Sequence, residues 1–496
     1  MTRIISRASD HATRTAIVAE EGTFSYADLL DASAGIAEAL LNGKTDLDEA
    51  RVAFLVPPGF THVAVQWGIW RAGGIGVPLC AAHPSRELEY VIEDADAATV
   101  VTHPSSEETL RPLAEARGLQ VLPTDTLPST SGSALPSITA DRRAMILYTS
   151  GTTGRPKGVV TTHRTLEAQI ETLIEAWEWR SDDHILHVLP LHHVHGIVNV
   201  LCCALWSGST CEMLPKFDAG LVWRRFVESD LTLFMAVPTI YSRLIACWNE
   251  TDDQEQVKRS RACAKMRLMV SGSAALPVQV LDTWRSISGH TLLERYGMTE
   301  IGMALSNPLH GERVPGSVGT PLPGVEVRLI DERGSEASPA TPGEIEVRGP
   351  SVFSEYWRRP DATRETFREG WFRTGDIAVI EDRRYRILGR NSVDIIKTGG
   401  YKVSALEIEE ILRTHPDIAE CAVIGVADEE WGERVAVAVV LTSGSDLTLE
   451  RLRVWAKTQL ATYKVPTRFL PVDGLPRNAL GKVVKPRIRE LFETSA

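Results

Sequence analysis

The sequence predicts an α/β fold: a large N-terminal domain of parallel-type sheets layered with helices, a small barrel-like β part, and a small α+β domain at the C-terminal end. Strand-like apolar runs alternate with longer stretches of helical apolar spacing over the first three hundred residues, the pattern of parallel sheets covered by helices. The chain's 496 residues also exceed the usual size of one compact unit. In order, RVAFLVP (Arg51 to Pro57), ATVVTH (Ala98 to His103) and RAMILYTS (Arg143 to Ser150) read as strands. PSTSGSALPS, Pro128 to Ser137, reads as an exposed connector because serine and proline dominate it. RLIDERGSEASPATPGEIEVRGP, Arg328 to Pro350, places alternating strands around a turn-rich centre and predicts β-hairpins. Beyond Arg390 the character changes. LEIEEILRTHP and LERLRVWAKTQL have helical spacing, while AECAVIGVA and RVAVAVVLT read as strands, so the division expected is 1–390 and 391–496.

Composition narrows the function. Hydrophobic residues make up 43% and charged residues 24%, which excludes a disordered or fibrous chain. Fifty-three Lys plus Arg against 65 Asp plus Glu leave a formal charge of −12, and no basic patch offsets it, so a nucleic-acid partner is not expected. Seven cysteines stand without a C-x-x-C or zinc-finger spacing, which points to a reducing compartment, the cytoplasm being the expectation. No window reaches the length of a membrane span and the N-terminus has no apolar signal region, so no membrane partner is expected. The sequence leaves the oligomeric state open.

The most unusual stretch is YTSGTTGRPKG, Tyr148 to Gly158, with three glycines and a single lysine. Following an apolar strand and preceding the helix-like TLEAQIETLIEAW, it reads as a strand–loop–helix turn in which free backbone N–H groups and hydroxyls can gather an anion. It lacks the G-x-x-x-x-G-K-[ST] order of a Walker A loop. Glycine and threonine richness alone fits a polar surface loop equally well.

The whole string, however, resembles the phosphate loop of the adenylate-forming superfamily, which includes acyl-CoA synthetases, firefly-type luciferases and the adenylation domains of peptide synthetases. LPLHHVHG (Leu189 to Gly196), SGSAALP (Ser271 to Pro277), ERYGMTE (Glu294 to Glu300), WFRTGD (Trp371 to Asp376), GRNSVDIIKTGGYKVS (Gly389 to Ser404) and NALGKV (Asn478 to Val483) follow in the family's order. The resemblance implies ATP, Mg²⁺ and CoA as cofactors and a small carboxylic acid as substrate. A carboxylate attacks the α-phosphorus of ATP with loss of pyrophosphate, and a thiol then displaces AMP.

Carried over by motif, Thr149, Ser150, Gly151, Thr152, Thr153, Gly154 and Lys157 would hold phosphates. Ser273, Ala274 and Ala275 would line adenine opposite Tyr296, with Glu294, Gly297 and Met298 in the same nucleotide segment. Thr299 would bind a phosphate oxygen and Glu300 would hold Mg²⁺. Asp376 would accept from the ribose hydroxyls, with Arg390 as second contact. Lys482 would reach the α-phosphate and carboxylate oxygens during adenylation. The resemblance further implies that the C-terminal domain swings after adenylation about a pivot at Ser392, where many relatives carry Asp or Lys, and that Gly400 and Lys402 then face CoA.

Within the superfamily the chain most resembles malonyl-CoA synthetases. Arg295 replaces the small residue many relatives place before the Tyr-Gly pair, and a guanidinium can hold a second carboxylate bidentately. His193 and His195 of the H-x-H-G string, with Val194 and Met303, are the expected pocket wall, and a salt bridge to Glu294 is the competing use of Arg295. Medium-chain or aromatic acids, or delivery to a carrier protein, are the alternative activities.

Overall fold

The computed structural model describes residues 2–130, 132, 134–149, 156–478 and 481–494. Two large sheets form the N-terminal domain. The nine-stranded sheet has a parallel centre in which Leu293–Met298, Leu268–Ser271, Leu233–Ala236, His184–His187, Thr210–Met213 and Thr15–Ala19 lie side by side. Antiparallel strands close both of its edges. The seven-stranded sheet carries Arg51–Leu55, Ile75–Pro78 and Thr99–Thr102 in parallel, then turns antiparallel at Arg143–Thr149 and Lys157–Thr162.

Helix Phe60–Arg71 buries every residue from His62 to Trp70 and touches strands of both sheets. An all-round apolar helix has this place in a layered fold. Five tryptophans, at 67, 70, 177, 223 and 284, are fully buried. Four of their indoles donate to fixed acceptors: Trp70 to Ala144 O, Trp177 to Ser306 Oγ, Trp223 to Leu244 O and Trp284 to Met269 Sδ.

A third, five-stranded antiparallel sheet of Glu326–Ile330, Gly343–Arg348, Trp371–Glu381, Phe367–Arg368 and Arg384–Arg390 is the half-barrel, and the hairpin expected between Arg328 and Pro350 lies in it. The next sheet begins at Ile395. It joins Ile395–Thr398, Tyr401–Ser404, Gly432–Leu441, Ile418–Asp428 and Arg468–Pro471, and packs with helices Ala405–Leu412, Leu449–Ala456 and Lys485–Thr494 around apolar clusters of its own. This is the smaller α+β domain.

One expectation is corrected. The loop after Arg143–Thr149 leads into a strand, Lys157–Thr162, before helix His163–Trp177 begins. The unit is strand–loop–strand–helix because GVVTT is β-branched and pairs antiparallel with the preceding strand, Tyr148 opposite Gly158. Ser150, Gly151, Thr152, Thr153 and Gly154 lie outside the described residues.

Candidate active site

Strand Leu293–Met298 distributes the site. Successive side chains of a strand point to opposite faces, so Arg295 and Tyr296, adjacent in sequence, serve two different neighbourhoods.

Arg295 is buried beside the histidines and is 4% exposed. Its guanidinium lies against Gly272: a Cβ there would fall 2.5 Å from Cζ. Neither Nε nor Nη2 has a hydrogen-bond partner among the described residues, and no carboxylate pairs with the side chain. Burial alone lowers its pKa to about 9. The expected alternative, a bridge to Glu294, is absent. Glu294 points to the other face, where its carboxylate accepts from the Gly316 N–H at 3.0 Å. Burial first, opposed by that hydrogen bond, pushes its pKa up to about 8. A buried cation without a counter-charge is costly, and the ordinary reason to keep one is an anionic guest.

His195 stands beside Arg295. Its Nδ1 is 3.1 Å from Ser273 Oγ, while Nε2 is buried without a partner among the described residues. Burial and then Arg295 lower its pKa well below the ordinary value, so the ring is neutral. Ser273 reaches it from a left-handed backbone, φ 70°, an uncommon conformation for a non-glycine residue. His193 packs on His192 at 4.9 Å between ring centroids. Its pKa falls to about 4 through burial and then Lys482. A π-helix, His195–Cys202, starts at the pocket, and Gly196 has no room for a Cβ, which would sit 2.3 Å from Pro190 O. Val194 and Met303 are buried, and Met303 closes against Gly297, whose added Cβ would meet Met303 Cε at 2.4 Å.

Lys482 arrives from the C-terminal domain on a tight turn in which its N–H donates to Asn478 Oδ1 at 3.0 Å. The residue as a whole is exposed. Desolvation, then Arg295 and Arg390, lower its pKa against the pull of Asp376. Its charge also acts on His193 and His195. The lysine therefore sits over the pocket that Arg295 and the histidines line.

On the opposite face of the strand, Tyr296 Oη donates to Asp376 Oδ2 at 2.6 Å and Arg390 Nε donates to Asp376 Oδ1 at 3.1 Å. Asp376 is thereby fixed from both sides, and Thr374 Oγ1 accepts from its N–H.

A third group forms just beyond the strand. Thr299 and Glu300 are buried, and Tyr356 Oη donates to Glu300 Oε1 at 2.9 Å. The Lys157 ammonium lies 5.0 Å from the centre of the same tyrosine ring. Burial raises the pKa of Glu300, and the hydrogen bond from Tyr356 opposes it. Among the described residues no set of three or more acidic, His or Cys side chains could hold a metal ion. A lone buried carboxylate of this kind suits a Mg²⁺ that takes its other ligands from phosphate and water. Ala274 and Ala275 are exposed beside Ser273, Met298 is half-buried beyond Tyr296, and Thr149 ends the strand leading into the phosphate-loop segment.

Two expected residues stand apart from these groups. Gly400, in left-handed conformation, is open to solvent, and Lys402 pairs with Glu332 of the N-terminal domain. Conversely, Gly272 and Thr374, which lie inside the SGSAALP and WFRTGD strings but were given no role, and Tyr356 contribute contacts that the sequence did not assign. Tyr356 lies in SEYWRRP, outside any of the quoted strings.

The fold and these three groups define a nucleotide-dependent carboxylate-activating site, and the chain belongs to the AMP-binding enzyme family: residues 5–357 match the family itself and residues 407–482 match the AMP-binding enzyme C-terminal domain. Among its relatives are "Malonate--CoA ligase ACSF3, mitochondrial" of Mus musculus, 50% identical over 97% of this chain and 89% of the relative, and "Malonate--CoA ligase" of Arabidopsis thaliana, 43% identical over 98% and 88%. Among solved structures, ATP-bound MatB from Rhodopseudomonas palustris is 36% identical with a TM-score of 0.91 over 99% of both chains. A malonyl-CoA ligase ternary product complex with methylmalonyl-CoA and AMP, at 35% identity, covers 96% of this chain and 100% of its own and superposes with a TM-score of 0.70. At nearly equal identity, the overall arrangement of this chain is thus closer to the ATP-bound structure.

Proposed function

We propose that this chain is an AMP-forming malonate–CoA ligase. The observation that carries the substrate is Arg295, a buried guanidinium whose Nε and Nη2 have no partner and which meets no counter-ion among the described residues, with a second cation, Lys482, beside it. A malonate dianion spans these two charges, with its distal carboxylate on Arg295 and the Nε2 of His195 and its reacting carboxylate toward His193 and Lys482. The named activities of the relatives support the same reading.

In the first step an oxygen of the reacting carboxylate bonds to the α-phosphorus of ATP as the bond to the bridging oxygen breaks, and pyrophosphate leaves. Lys482 stabilises the charge on the α-phosphate. Thr299, Lys157 and the Thr149–Gly154 segment hold phosphate oxygens, Asp376 with Arg390 orients the ribose, and Tyr296 faces adenine across from Ser273, Ala274 and Ala275. A Mg²⁺ held by Glu300 would neutralise phosphate charge. In the second step the CoA thiol gives up its proton and bonds to the acyl carbon, and AMP leaves. With the domains divided as 1–390 and 391–496 at the Ser392 turn, rotation of the smaller one takes Lys482 out and frees Lys402 from Glu332 to meet CoA beside Gly400.

All seven cysteines are free, which supports a reducing compartment. We place the chain in the cytoplasm, with the mitochondrion, which the names of its vertebrate relatives carry, as the rival location. Fractionation of cells expressing the native chain decides between them.

The test is AMP and acyl-CoA formation with ATP, Mg²⁺ and CoA, comparing malonate, methylmalonate, acetate, octanoate and 4-coumarate. Malonate is expected to lead by orders of magnitude in kcat/KM. Octanoate or coumarate leading would discard the diacid and keep the adenylation chemistry.

A further inference from the structure

Lys482 can act only while the C-terminal domain is held against the larger one. Its turn rests on the N-terminal domain, a Cβ on Gly481 falling 3.5 Å from Thr239 Oγ1. Among the described residues few fixed polar contacts cross the junction, and one of them is placed unusually. Helix Val278–Ser288 begins directly after the Ser273–Ala275 segment, and Pro277 at its N-cap gives it no side-chain cap. Helix N-termini leave backbone N–H groups without internal partners, and a side-chain oxygen ordinarily takes one of them from the same chain segment. Here the acceptor comes from the other domain. Glu410, on helix Ala405–Leu412, accepts from the Val278 N–H through Oε1 at 2.9 Å, while its Oε2 is steadied by Arg413 at 3.3 Å.

We infer that Glu410 is a positioning residue for the first half-reaction: by capping helix Val278–Ser288 across the domain junction, it holds the arrangement in which Lys482 faces Arg295, His193 and Asp376. The carboxylate also favours the positive end of that helix dipole. Because the capped helix carries the adenine-side segment at its head, the same contact links nucleotide seating to domain closure. The cap is lost as soon as the C-terminal domain rotates, so it biases one arrangement and contributes nothing to the other. A ligand or contact shifts such an equilibrium only through its differential interaction with the two states, and Glu410 has that property by its position.

The inference rests on the two-step reading above, and the experiment separates the two. Glu410→Ala and Glu410→Gln are compared with wild type in acid-dependent ATP–pyrophosphate exchange, which reports the first step, and in malonyl-CoA formation from preformed malonyl-adenylate, which reports the second. Glu410→Ala is expected to slow exchange about fivefold, the effect of losing one helix cap, with the second step unchanged. Glu410→Gln, whose amide oxygen still accepts from Val278 N–H, is expected to recover exchange to within about twofold of wild type. Equal loss in both steps, or exchange unchanged in the alanine variant, overturns the inference. In parallel, spin labels on cysteines introduced at the exposed Val257 and Val454 report the interdomain distance without substrate. The alanine variant is expected to lose part of the wild-type closed population, and an unaltered distribution also overturns the inference. If wild type exchanges with no acid in the panel, the two-step reading fails, and the label distances alone judge Glu410.

Discussion

At the scale of single residues, the diacid reading depends on Arg295. Arg295→Ala is expected to lower kcat/KM for malonate by two orders of magnitude or more, since loss of one partner of a buried charge pair costs roughly 3–5 kcal/mol, and to leave acetate turnover no worse. Arg295→Lys should recover little, because an ammonium cannot meet a carboxylate with two parallel N–H donors. Steady-state kinetics with both acids checks this, and unchanged malonate kinetics in the alanine variant would falsify the proposed pocket. The residue types at Arg295, Tyr296, Glu300, Asp376 and Lys482 were legible because their motifs are long and ordered along the chain. What was not legible is the state of each side chain. A sequence holds Glu294 and Arg295 side by side and suggests a bridge; only the strand's alternation reveals that the pair faces opposite ways, leaving one acid buried against Gly316 and one guanidinium without a partner.

At the scale of elements, close backbone approaches shape the pocket. Gly272 closes strand Leu268–Ser271 and lies where any side chain would strike the Arg295 guanidinium, with Cζ, Nε and Nη1 all within 2.6 Å of a Cβ placed there. Gly272 has an ordinary backbone, so alanine meets no conformational barrier and the effect is purely one of space. Gly272→Ala is therefore expected to displace the guanidinium, raise KM for malonate at least tenfold and leave acetate turnover much less affected. Comparison with Arg295→Ala by double-mutant cycle should give strong non-additivity, since both changes remove one interaction. Additive losses would mean that Gly272 acts through the adenine segment instead. Elements were legible from the sequence where periodicity was long, as in the strands at Arg51 and Arg143 and the helix Leu449–Ala456. The strand Lys157–Thr162 was absorbed into the loop and helix around it because a six-residue run beginning Lys-Gly has little period of its own. The π-helix His195–Cys202 has no sequence signature to read, and Tyr356, which joins Lys157 to Glu300, becomes visible only when the seven-stranded sheet brings Glu355–Tyr356 beside Lys157–Thr162.

At the scale of the whole molecule, the pocket's histidines belong to a larger population of buried or half-buried neutral imidazoles. His62, His187 and His193 have pKa values lowered to about 4, and His163 and His192 to about 3, in every case by burial first. The unfolded chain takes up protons on these residues below pH 6.5, the ordinary histidine value, while the native chain does not, so the stability they contribute is complete above that pH and is lost as pH falls toward 4. Glu294 works in the other direction: held near 8 in the native state against an ordinary 4.5, it keeps a proton the unfolded chain releases, and stability falls as pH rises between those values. Each differential proton changes stability by about 1.4 kcal/mol per pH unit, so the five histidines outweigh the one glutamate wherever the windows overlap. Thermal unfolding is therefore expected to show a steep loss of Tm from pH 6.5 to 5. Glu294→Gln, whose amide oxygen can still accept from the Gly316 N–H, should gain on wild type progressively from pH 5 to pH 8, while its acid-side loss stays steep. A Tm independent of pH below 6.5 would mean that these imidazoles are protonated in the native state, and a variant whose difference from wild type does not grow toward pH 8 would mean that Glu294 is already ionised behind the strand.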